Sequence, residues 1–117
     1  MDWKKSIYSD GSHHFVTPAR PSLGEKIRIR LQMIVNDQVV GAQCRLSKNG
    51  EEHIEEMSIS VVGDLIVFEC ETTMNQPKLN YHFIVFTDKE VLFYNQYGTT
   101  EVIPTEDYDF KLMADYQ

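Results

Sequence analysis

Phe93, Tyr94 and Tyr97 stand close together, with Asn95 and Gln96 between them. A pyranose ring offers an apolar C–H face that stacks on an aromatic plane and a rim of hydroxyls that amides hold. Rings set beside amide donors and acceptors therefore suit a few shallow sugar contacts. Tyr94, Asn95, Gln96 and Tyr97 are the first candidates for carbohydrate binding, and Trp3, the single tryptophan, is a distant second. The competing reading is structural, because Tyr and Phe are also standard strand formers and core fillers.

Material for catalysis is thin. The chain has no G-x-S-x-G elbow, no H-E-x-x-H and no glycine-rich phosphate loop. Glu51, Glu52, Glu55 and Glu56 could pair carboxylates, but on a hairpin arm they read as water-facing charges along a sheet edge. His13 and His14 are adjacent, and on an extended segment neighbouring side chains point to opposite faces, which prevents a shared metal. Asn36 and Asp37 read as turn residues. His82, between Tyr81 and Phe83, reads as a hydrogen-bonded sheet histidine, with metal ligation as the alternative. No metal, no cofactor and no catalytic residue are expected in this chain.

Charge narrows the partners. Eleven Lys and Arg against eighteen Asp and Glu give a net charge of -7 and a pI near 4.9. Phosphate binding needs clustered cations, and the one basic stretch, Lys26, Arg28 and Arg30, alternates with Ile27, Ile29 and Leu31 as the wet face of a strand would. No nucleic-acid partner is expected. Cys44 and Cys70 lack C-x-x-C spacing and read as buried small hydrophobes in a reducing compartment; a disulfide is the alternative, since both fall on inward strand positions. No uncharged run approaches the ~18 residues of a membrane span, and Met1 to Lys5 lead into no apolar signal segment. The expectation is a soluble, cytoplasmic chain with no membrane contact.

The elements that position these residues show period two. Residues 26 to 33 alternate, with Ile27, Ile29, Leu31 and Met33 on one face. Val40, Ala42, Cys44 and Leu46 continue the pattern to Ser47-Lys48-Asn49-Gly50, where Asn49 and Gly50 can take positive φ. The return arm is expected to hold Met57, Ile59 and Val61 inward, and Gly63-Asp64 turns the chain into Leu65 to Thr73 with Ile66, Phe68 and Cys70 inward. Residues 79 to 86 are apolar on both faces towards their end and form a hairpin with Val91 to Tyr94 through the polar loop Thr87 to Glu90. Near the ends, His14 to Thr17 is a short edge strand and Tyr108 to Leu112 a last strand. With a hydrophobic fraction of 42%, close to the globular average, 117 residues make one core.

The fold expected is therefore all-β: an antiparallel immunoglobulin-like β-sandwich of about seven to nine strands, residues 1–117 forming one domain. Ile27, Ile29, Leu31, Ile66, Phe68, Tyr81 and Phe83 are its expected core. The two-faced hairpin 79–94 implies a docking face, with Ile84, Phe86 or Leu92 partly exposed.

Several segments carry a resemblance, in order, over nearly the whole chain. They are Trp3 with Ser6-Ile7-Tyr8-Ser9, Lys26-Ile27-Arg28-Ile29-Arg30-Leu31, Leu79-Asn80-Tyr81-His82-Phe83, Leu92-Phe93-Tyr94-Asn95, Tyr97-Gly98 and Asp107-Tyr108-Asp109-Phe110-Lys111. Together they resemble the N-terminal domain of neopullulanase, cyclomaltodextrinase and maltogenic amylase, which is classed as carbohydrate-binding module family 34. That domain precedes the α-amylase-type barrel of glycoside hydrolase family 13. The resemblance implies a noncatalytic module, with the catalytic carboxylates in a barrel beyond Gln117. Its implied partners are α-glucan or malto-oligosaccharide, the barrel of the same parent chain, and a second subunit in a homodimer whose cleft the domain narrows. Some members carry calcium in this domain, but no ligand set for it matches residue by residue here. The other reading of the same strands is an immunoglobulin-like interaction domain without sugar affinity.

Overall fold

The computed structural model describes residues 3–48, 50–103 and 105–114. Its strands, in chain order, are β1 (Val16–Thr17), β2 (Lys26–Ile34), β3 (Val39–Lys48), β4 (Glu51–Glu56), β5 (Ser58–Val62), β6 (Leu65–Thr73), β7 (Lys78–Thr87), β8 (Val91–Asn95), β9 (Gly98–Thr100) and β10 (Phe110–Met113). Two single-turn 3-10 helices, Trp3–Ser6 and Glu106–Tyr108, complete it. Among the described residues no helix is long and apolar enough to cross a membrane.

Period-two alternation makes each long strand amphipathic, and two such sheets bury their apolar faces against each other. One sheet has the order β1-β2-β6-β5. The other runs β4-β3-β7-β8-β9, with β10 pairing the first half of β7. All pairings are antiparallel. Register sets Ile29 opposite Cys70 and Leu31 opposite Phe68 in the first sheet, and Cys44 opposite Phe83 in the second. All seven expected core residues are buried, none more than 4% exposed. Fully burying each such side chain stabilises the fold by about 1.5–3 kcal/mol. On the wet face of the first sheet, Arg30 meets Glu69 at 2.9 Å and Arg28 meets Glu71 at 3.5 Å. Exposed pairs of this kind contribute about 0–1 kcal/mol each.

The structure departs from the sequence reading at identifiable places. Among the described residues ten strands form rather than seven to nine, because residues 51–62 split between the sheets and Gly98–Thr100 adds a short strand. The return arm of the 47–50 turn is β4; buried Met57 is the crossing point to the other sheet. Gly50 takes φ 80 at that turn, and Asn49 lies outside the described residues. Ile59 and Val61 share a face with Phe68 and Ile66, yet are 57% and 64% exposed, because β5 is an edge strand that the facing sheet does not cover. Val40 points out of the core because a bulge between Val39 and Gly41 inserts it into the ladder. His13 and His14 lie in a turn, not an extended segment, and their ring centroids are 4.1 Å apart with the planes tilted by 36°. Tyr108 ends a 3-10 turn, and the last strand begins at Phe110.

On the 79–94 hairpin two of the three side chains of the expected docking face are covered. Leu92 is an inner-face residue opposite Val85 and is buried, and Ile84 is buried between its cross-strand neighbours Gln43 and Phe93. Phe86 alone of the three is half-buried.

Candidate functional site

The tip of the β8–β9 hairpin is built from Asn95. Its Oδ1 accepts a hydrogen bond from the Tyr97 N–H at 2.8 Å, an Asx turn that ends the strand. Asn95 pairs with Gly98 across the hairpin, which leaves Gln96 and Tyr97 at its apex, and Gly98 turns back with φ 115, a region where a side chain is strained. The Gln96 N–H donates to the Tyr108 carbonyl at 3.3 Å, and the Tyr108 N–H donates to the Thr105 carbonyl at 3.1 Å. These bonds hold the 105–108 turn against the hairpin tip.

Two exposed rings meet as a result. Tyr97 is 75% exposed, Tyr108 is 49% exposed, and they pack edge to face with centroids 5.0 Å apart. Beside them lies a cavity of about 350 Å³, lined also by Asn95, Thr99, Thr105 and Ile103. It presents apolar ring faces next to threonine hydroxyls. A larger groove of about 550 Å³ lies on the other side of β9, among Lys4, Lys5, Tyr8, Tyr94 and Glu101. There Tyr8 is the one well-exposed ring; it packs edge-on against Phe15 and its hydroxyl donates to Asp10 at 2.7 Å. That proton is harder to remove as a result, and the Tyr8 pKa is raised by the Asp10 hydrogen bond and charge. The smaller cavity is the better aromatic cradle.

The sequence candidates divide between surface and core. Gln96 and Tyr97 are exposed at the tip, whereas the Asn95 amide is buried and occupied by its turn. Tyr94 points inward with Leu92, stacks among Phe83 and Phe110, and is 7% exposed; its hydroxyl donates to the Ser9 carbonyl at 3.4 Å. Burial raises the Tyr94 pKa, against a smaller opposing contribution from the Ser9 bond. Trp3 is 5% exposed in the core, held by a turn in which the Ser6 hydroxyl bonds its carbonyl and receives the Ile34 N–H. Neither Tyr94 nor Trp3 offers a ring face to solvent. The residue that sequence reasoning missed is Tyr108, which alternation assigned to a strand; its pairing with Tyr97 is made by tertiary contacts that no local pattern encodes.

His82 lies on the outer face of β7, with Nδ1 2.9 Å from Asp109 Oδ1, and both residues are buried. A carboxylate only accepts, so Nδ1–H donates to Asp109. Arg45 forms an ion pair with Glu52 nearby. Among the described residues no three His, Cys, Asp or Glu side chains are grouped to hold a metal ion. Cys44 and Cys70 are free, buried thiols from opposite sheets, and burial pushes the Cys44 pKa up.

No family model matches this sequence, and no curated protein matches it. Solved structures do. A cyclomaltodextrinase aligns over 96% of this chain and 20% of its own, with a TM-score of 0.80 at 14% identity. A maltogenic amylase from S. marinus aligns over 98% of this chain and 15% of its own, with a TM-score of 0.73 at 22% identity. A cycloalternan-degrading enzyme from Trueperella pyogenes, in complex with a covalent intermediate, aligns over 85% and 15%, with a TM-score of 0.59 at 13% identity. At these identities the likeness establishes the fold. This chain spans a fifth or less of each of those chains.

Proposed function

We propose that this chain is the noncatalytic N-terminal module of an α-amylase-family glycosidase of the neopullulanase and cyclomaltodextrinase type, and that it binds malto-oligosaccharide or starch at the Tyr97–Tyr108 cradle. The fold likeness to a small part of several glucan-acting enzymes supports the parent class. The sugar site rests on one observation: two exposed tyrosines meeting edge to face over a hydroxyl-lined cavity. One ring stacked on tyrosine contributes on the order of 1 kcal/mol, which gives millimolar affinity for a single contact. Trp3 is buried, so its fluorescence is a poor reporter of this site. Electrophoresis through gels containing soluble starch tests the proposal. Retardation relative to a starch-free gel is expected, and unchanged mobility at every starch concentration contradicts it.

A second reading is an immunoglobulin-like interaction domain without sugar affinity. It is favoured by the edge strand β5, whose five residues are all exposed and uncharged, with Ile59, Val61 and Val62 at 57%, 64% and 62%. Under the first reading, the same edge is a place for the parent's catalytic barrel or a second subunit to pack. Starch retardation separates the two readings.

A further inference from the structure

Beside the aromatic cradle, across Ile103, lies a smaller cavity of about 190 Å³. Its wall carries Arg45, Ser47, Glu52, His82 and Asp109. The His82 side chain is 6% exposed, and its Nε2 is buried with no hydrogen-bond partner among the described residues. With Nδ1–H committed to Asp109, Nε2 is the ring nitrogen left without a partner. Asn80, two residues along the same face of β7, has a buried Oδ1 that is also without a partner. Buried acceptors left unmet are unfavourable, and native folds satisfy nearly all of them. Among the described residues none supplies the satisfying group.

The surrounding charges select its chemistry. An anion at this wall would meet the Glu52 and Asp109 carboxylates, and Arg45 is already paired with Glu52. A cation would meet Arg45, and among the described residues no group of metal-ligating side chains is assembled for an ion. A neutral polyol fits both signs at once: its hydroxyls both donate and accept, so they can meet His82 Nε2, the carboxylates and the guanidinium. The volume admits one sugar ring and no more.

We propose that this cavity is a second sugar subsite, taking one glucosyl unit of a chain whose neighbouring unit stacks on Tyr97 and Tyr108. The inference rests on the glucan reading above. Two linked contacts make the second intramolecular, so a glucan long enough to reach both binds more tightly than maltose.

The test is a titration of the chain with maltose and with maltoheptaose, following the His82 ring resonances and the Tyr97 and Tyr108 ring signals by NMR. Maltoheptaose should shift both sets and bind about tenfold more tightly than maltose. Arg45→Ala and Glu52→Gln, at partly exposed positions that leave the core intact, should each remove most of that gain while the tyrosine signals still respond. A His82 ring silent to both sugars, with Tyr97 still responding, overturns the second subsite and leaves the first; ordered water would then be what meets Nε2. If neither Tyr97 nor His82 responds, both readings fall.

Discussion

Two groups of aromatic side chains, drawn from the same stretch of sequence, meet opposite fates. Tyr81, Phe83, Tyr94 and Phe110 pack against one another in the core, with ring centroids 5.2 to 6.4 Å apart. Tyr97 and Tyr108 form a pair of comparable separation, 5.0 Å, on the surface. Residue type does not distinguish them. Position does: the first four fall on inner-face positions of paired strands, whereas the second two sit on a hairpin apex and at the end of a 3-10 turn. An aromatic cluster in a β-sandwich thus carries stability where alternation is unbroken and becomes available for binding where a turn interrupts it.

That contrast is broken first by removing a core ring. Phe83→Ala should cost about 3–5 kcal/mol, because it empties a fully buried site between Tyr81, Tyr94 and Phe110. Urea denaturation measures it, and a loss below 1 kcal/mol would mean that the cluster is not packed as described. Asp109→Ala comes next. It leaves the buried His82 Nδ1–H without its acceptor and should cost about 1–3 kcal/mol in the same assay. Tyr94→Phe keeps the ring and removes only a long 3.4 Å hydroxyl contact, so a change of about 1 kcal/mol or less is expected.

The smallest effect is electrostatic. Burial opposes ionisation of Asp10, but hydrogen bonds from Ser12 and Tyr8 outweigh it and hold its carboxyl below the usual aspartate value. A group depressed in the folded state contributes stability above its unfolded pKa, about 3.9, and loses it as the pH falls through the lower folded value. Asp10 is partly exposed, and solvent screens the contribution to a small one. Denaturation midpoints should therefore fall slightly more steeply with acid in the unaltered chain than in Asp10→Asn. Identical acid profiles would show that the Tyr8 and Ser12 bonds do not bias its ionisation.

Legibility in the sequence follows the same division. The pairing faces of β2 and β6 could be read because alternation over nine residues identifies an inner face. Burial along β5 could not, although Ile59 and Val61 alternate just as well, since whether an inward side chain is covered depends on how far the opposite sheet extends. Val40 was misplaced because a bulge shifts the phase by one residue without a local signature. At the site, the hairpin tip Asn95-Gln96-Tyr97 was legible from amides beside an aromatic ring. The contacts that complete it were not: Tyr108 against Tyr97 and Asp109 against His82 join residues brought together only by the course of segment 101–109.

The two edges of the sandwich show the same limit. Consecutive in sequence, β4 carries Glu51, Glu52, Glu55 and Glu56 on one sheet's edge, while β5 carries no charge on the other's. Charged edges resist pairing with further strands and uncharged ones invite it.

The claim at the centre of this account is that Tyr97 binds sugar and does not hold up the fold. Calorimetric titration of maltoheptaose into the unaltered chain and into Tyr97→Ala, with melting curves of both, tests it directly. Tyr97 is 75% exposed, so melting should shift by no more than the equivalent of about 0.5 kcal/mol, while affinity falls about fivefold or more. Unchanged affinity in a folded Tyr97→Ala chain would contradict the assignment.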